Sequence, residues 1–97
     1  MDQERMHACE HLVAAAVIEF MAEKGEPTAQ VRDLFEDDAL RGKDFALLGL
    51  SSLDWMTLAM RVEKRSGVEL DDAVLIDPEN RSVAGWAACL YSVGALT

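Results

Sequence analysis

Apolar residues recur at spacings of three and four along the first two dozen positions. Met6, Cys9, Val13, Val17, Phe20 and Met21 share one face, which predicts a helix over roughly 3–24. Asp2 is placed to cap it. Lys24-Gly25-Glu26-Pro27 is a stop signal: a base in the last turn, a glycine for a left-handed cap, then a proline. Over 25–51 the pattern weakens, with apolar anchors only at Val31, Leu34, Phe35, Leu40 and Phe45. A connection of 27 residues is long for a compact domain, and a short helical turn around 33–40 is expected within it. A second long helix begins at Ser51 or Ser52 and ends at Ser66-Gly67. Leu53, Met56, Leu58, Met60 and Val62 leave it apolar on more than one face. Residues 71–76 suit one or two helical turns, stopped by Asp77-Pro78. A last helix starts after Ser82 as N-cap, with Val83, Trp86, Leu90 and Val93 as its inward stripe and Gly94 at its end. No stretch alternates with period two. The chain therefore reads as all-α, a small four-helix bundle of three main helices and one short one, with a long loop after the first.

A chain of 97 residues supports one hydrophobic core, and with no repeat or low-complexity segment, 1–97 reads as a single domain. Hydrophobic residues make up 51 %, but fourteen of them are alanine, so the core is built from small pieces. Eighteen acids against nine bases give a net charge of −9, which argues against a phosphate-neutralising surface and hence against nucleic acid. No apolar run approaches the roughly 18 residues of a membrane span. Met-Asp-Gln-Glu-Arg at the start has the wrong charge for a signal peptide. Cys9 and Cys89 lack metal-type spacing; two reduced thiols in a cytoplasmic protein fit better than a single disulfide.

Three features bear on chemistry. His7-Ala-Cys-Glu10-His11 matches the pattern H-x-x-E-H, in which two histidines one turn apart bind zinc beside a glutamate base. A third ligand and a cleft are not evident, and a solvated pair of histidines is the plainer reading. The acid pairs Asp37-Asp38, Asp71-Asp72 and Glu23 with Glu26 fall in loops and at helix ends, where the default is a solvated surface. The third is the stretch from Phe45 to Asp54, where a glycine precedes two serines at a helix start. Serine is among the best caps. A hydroxyl there can also carry a phosphoryl group, because unpaired N–H donors and the helix dipole stabilise the anion. With no His or Lys nearby in sequence to act as a base, such a serine suits modification by another enzyme better than attack on a substrate.

This stretch, together with the residues downstream of it, resembles the acyl and peptidyl carrier protein family. The family's Leu-Gly, then Asp-Ser-Leu, stands here as Leu48-Gly49-Leu50-Ser51-Ser52-Leu53-Asp54. Leu58, Val62 and Glu63 fall at the family's helix-core and acidic positions. Gly67-Val68-Glu69-Leu70 and Ser82-Val83 match its later segments, and Phe45 its aromatic before Leu-Gly. The similarity covers about residues 30 to 93, and the first helix agrees in length. It implies that Ser52 is esterified by 4′-phosphopantetheine, taken from coenzyme A by a separate phosphopantetheinyl transferase. The arm's thiol would hold an acyl or aminoacyl group as a thioester, and the protein would catalyse nothing itself. It further implies a monomer that docks transiently to loading, condensing or tailoring enzymes through Leu53, Asp54, Trp55, Met56, Thr57, Met60 and Lys64.

The departures from the family are specific. Ser51 replaces the usual Asp before the modified serine, and alignment favours Ser52 over Ser51 as the acceptor. Residues 52–66 hold Asp54 and Glu63 against Arg61, Lys64 and Arg65, a net +1, with Thr57 and Lys64 where fatty-acid carriers commonly have glutamate. Trp55 is also unusual. Because charge complementarity sets partner choice, these residues favour a free-standing carrier of a specialised polyketide or nonribosomal peptide pathway. The alternatives are a carrier of fatty-acid synthesis, an unmodified helical interaction module using Trp55, Met56 and Met60, and the zinc enzyme.

Overall fold

The computed structural model describes residues 3–25 and 38–94. Among these residues five α-helices occur in the order α1 (Gln3–Glu23), α2 (Asp38–Arg41), α3 (Ser52–Ser66), α4 (Asp72–Ile76) and α5 (Val83–Ser92). A 3₁₀ turn at Phe45–Leu48 lies between α2 and α3. Strands are absent among the described residues, as the missing period-two pattern predicts. The three long helices and short α4 are those read from the sequence; α2 and the 3₁₀ turn are the helical segments described within the long connection. The expected Asp2 cap, the Glu26-Pro27 stop and the anchors Val31, Leu34 and Phe35 lie outside the described residues.

α1 is the spine of the bundle, packing most extensively on α5 and next on α3, while α4 touches both α3 and α5. Cys9, Val13, Val17, Phe20 and Met21 are buried on α1 as its spacing predicts, joined by Ala14 and Ala16; Met6 is half-buried. The small alanines let the other helices approach. α3 contributes Leu58, Ala59 and Val62, and α5 contributes Val83, Trp86, Ala87 and Leu90. Trp86 stands edge-on to Phe45, with centroids 4.8 Å apart at 82°, so the 3₁₀ turn before α3 is anchored in the core. Val93 differs from its assignment to the inward stripe: it caps α5 and is 56 % exposed, because the helix ends one residue earlier.

The link from α4 to α5 is tight. Asp77 caps a turn by accepting from the amides of Glu79, Asn80 and Arg81 at 2.9 Å each. The turn lies directly on the first turn of α5, where a Cβ on Gly85 would sit 2.1 Å from the Asn80 carbonyl oxygen. Arg81 leaves this link to bind Asp44 through two nitrogens at 2.7 and 3.0 Å, and its carbonyl accepts from the Phe45 amide at 2.9 Å. The segment leading into α3 is thereby fastened to the segment leading into α5.

Candidate functional site

The start of α3 is assembled from local signals. Asp44 caps the 3₁₀ turn by accepting from Ala46 N–H. Gly49 ends the turn with φ 89°, a left-handed conformation that a residue with a Cβ adopts at a cost, although the space around it is open. Leu50 then turns into the core. Ser51 is extended, with φ −84° and ψ 172°, and forms a capping box: its hydroxyl accepts from Asp54 N–H at 3.3 Å, and the Asp54 carboxylate accepts from Ser51 N–H at 2.8 Å. Of the two serines, Ser51 is therefore the cap. Ser52 is the first helical residue; it is exposed, and no hydrogen bond among the described residues engages its hydroxyl. The amides of Ser52 and Leu53 have no intrahelical acceptor, as at any helix start. An exposed hydroxyl on a helix N-terminus with two unused N–H donors is a favourable place for a phosphodiester anion.

Lys24, distant in sequence, reaches this helix start. Its ammonium donates to the Asp54 carboxylate at 2.7 Å, rather than to Ser52. That bond, followed by the one from Ser51 N–H, holds the Asp54 carboxyl below its usual value. Further along α3, Arg61 makes a two-pronged bond with Glu23 at 2.5 and 2.6 Å and lowers that carboxyl, and Arg65 pairs with Glu19. Three ion pairs thus run along the seam between α1 and α3. Asp44 is lowered in the same way by Arg81.

These shifts carry a pH dependence. Each carboxyl has a lower pKa in the folded chain than in the unfolded one, so on acidification the unfolded chain takes up protons first. The stabilisation is complete above the ordinary carboxylate range, about pH 4, and is lost as pH falls through that range and below it. The thermal midpoint should fall across that window. Asp54→Asn keeps an acceptor for Ser51 N–H without the charge, and its midpoint should vary less with pH there; an identical profile would refute the role of the Lys24–Asp54 pair.

The structure separates the residues assigned to docking from sequence. Leu53, Met56 and Met60 are exposed by 75 %, 62 % and 71 %, and Thr57 and Lys64 are also exposed. Asp54 is occupied in the cap. Trp55 is half-buried, with the Arg81 guanidinium 4.1 Å above its ring and its indole N–H buried without a partner among the described residues, so it does not share the exposure of Met56 and Met60. Sequence reasoning missed Lys24, Arg81 and Asp44, because their partners are 30 or more positions away and no local spacing signals them.

The other candidates disperse. His7 and His11 are exposed, Glu10 pairs with Arg41 at 2.9 Å, and no group of three potential ligands occurs among the described residues. Asp71 caps α4 by accepting from Ala73 N–H. Asp37 and Glu26 lie outside the described residues. Cys9 and Cys89 are free thiols, the first buried and its pKa raised by that burial. No described helix is long and apolar enough to cross a membrane.

A protein-family model described as "Phosphopantetheine attachment site" matches residues 28–90. No curated protein and no solved structure matches the chain. Domains of this family hold a covalently attached 4′-phosphopantetheine, act as carriers rather than catalysts, and interact with transferases and biosynthetic enzymes. With more than half of its length matched, the chain belongs to the phosphopantetheine-attachment family of carrier domains.

Proposed function

We propose that Ser52 carries the 4′-phosphopantetheine arm and that the protein, as a single carrier domain, presents thioester-bound acyl or aminoacyl intermediates to the enzymes of a specialised pathway. The observation that carries this reading is the division of labour between the two serines. Ser51 is committed to the capping box, while the Ser52 hydroxyl is exposed at the helix start and unengaged among the described residues. In the attachment step, the Ser52 oxygen attacks the phosphorus on the pantetheine side of coenzyme A's diphosphate. The new bond joins Oγ to that phosphorus, the diphosphate P–O bond breaks, and 3′,5′-adenosine bisphosphate leaves. The transferase supplies the base that takes the Ser52 proton. Ser52's neighbours contribute orientation and the two unused amides.

The pathway assignment is supported by charge. The bases of α3 outnumber its acids by one, and Arg61 and Arg65 are paired with α1. A helix of this kind offers little to the basic surfaces that recognise an acidic carrier helix. A polyketide or nonribosomal peptide system with its own matched enzymes fits it better than fatty-acid synthesis.

Incubation with coenzyme A and a broad-specificity phosphopantetheinyl transferase, then intact mass spectrometry, tests the attachment. Wild type should gain the mass of one arm and Ser52→Ala none. An undiminished gain in Ser52→Ala would exclude Ser52.

A further inference from the structure

Leu53, Met56, Met60 and Lys64 succeed one another at spacings of three and four, which sets them in line along one side of α3. The three apolar members are the exposed ones, and exposed Lys64 continues the line at the end far from Ser52. At about 1.5 Å per residue the apolar part is roughly 11 Å long, and Lys64 lies roughly 6 Å beyond it.

Three of the charges bordering this line are already matched within the chain. Asp54 is paired with Lys24, Arg61 with Glu23, and Arg65 with Glu19, all across the seam with α1. Glu63 flanks the stripe, half-buried and without an ion-pair partner among the described residues, so the stripe's border keeps one acid. Lys64 has no ion-pair partner among the described residues. The face presented outward is therefore neither acidic nor broadly basic: it is a methionine-rich apolar ridge that ends in one ammonium. Methionine's flexible thioether suits such a ridge to a groove it must enter and leave repeatedly.

We propose that this ridge docks a partner protein whose contact surface is an apolar groove closed, at the end away from Ser52, by a carboxylate opposite Lys64. The proposal deepens the carrier reading and rests on its premise that α3 meets the partner enzymes. It specifies the partner's chemistry: an acid at one defined end of the groove, in place of a basic patch along its length. A partner carrying a basic residue there would meet Lys64 with like charge.

Two synthetic amphipathic helical peptides serve as probes, identical in apolar face and differing only in a terminal Glu or Lys. Titrated into the ¹⁵N-labelled protein at low salt, the Glu peptide should shift amides along 53–64 and bind about two- to fivefold more tightly than the Lys peptide, the range of an exposed ion pair. The preference should fade by about 0.5 M salt and reverse in Lys64→Glu. Equal affinities, shifts centred away from α3, or no binding of either peptide would overturn the proposal. The carrier reading fails separately: it falls if the chain gains no phosphopantetheine mass, whichever peptide it prefers.

Discussion

Gly85→Ala should lower the thermal midpoint by roughly 10–20 °C, reflecting about 2–3 kcal/mol of overpacking in a domain of this size. On helix propensity alone the substitution would gain about 1 kcal/mol. Contact decides the sign. The new Cβ would lie 2.1 Å from the Asn80 carbonyl oxygen and 2.7 Å from its carbon, and these are backbone atoms that no rotamer change removes. The turn cannot yield alone, because Asp77 binds three of its amides and Arg81 ties it to Asp44 and Ile76. Yielding would also disturb the bond from Phe45 N–H to the Arg81 carbonyl, and with it the approach to α3. A melting curve monitored by circular dichroism checks this; an unchanged or higher midpoint would show that the turn moves freely.

The second large effect is a dissociation between the two serines. Ser51→Ala removes the side chain that accepts from Asp54 N–H, a cap loss of about 1 kcal/mol and roughly 4–8 °C in midpoint. The Ser52 hydroxyl remains, so the arm should still be attached, more slowly as the helix start frays. Ser52→Ala removes an exposed hydroxyl with no hydrogen bond among the described residues, so stability should hold while attachment is lost. One variant changes melting and keeps the modification; the other keeps melting and loses the modification. If both serines affected both properties alike, the assignment of cap and acceptor would be wrong.

Much of the fold is legible in the sequence, because helix ends are set by local chemistry. Ser82, Asp71 and Gly67 sit where they cap α5, α4 and α3, each through a hydrogen bond within a few residues of itself. The three-and-four spacing of Cys9, Val13, Val17 and Phe20 likewise fixes the buried face of α1. Periodicity does not say which helix a face meets. Trp55 and Met56 are adjacent apolar residues on one helix. Only the fold shows that Arg81 covers the first while the second stays open. Asp54 has the position of a docking residue and is instead the acid of the capping box, held by Lys24 from 30 residues away. Gly85 carries no sequence signal at all, since its requirement comes from a backbone segment that packs on it in three dimensions.

Charge gives the same lesson about the working surface. A net −9 suggests an acidic carrier. The acids Glu19, Glu23 and Asp54 are tied up along the α1–α3 seam, and the ridge beside them is apolar with a single lysine. The total describes the molecule, while the pairing describes what a partner meets.

The central claim is that the arm sits on Ser52, and fragmentation mass spectrometry of the transferase-treated protein tests it most directly. The protein should carry a single phosphopantetheine whose fragment ions place the added mass on Ser52, with Ser51 unmodified. An arm located on Ser51, or a protein that accepts none, would contradict it.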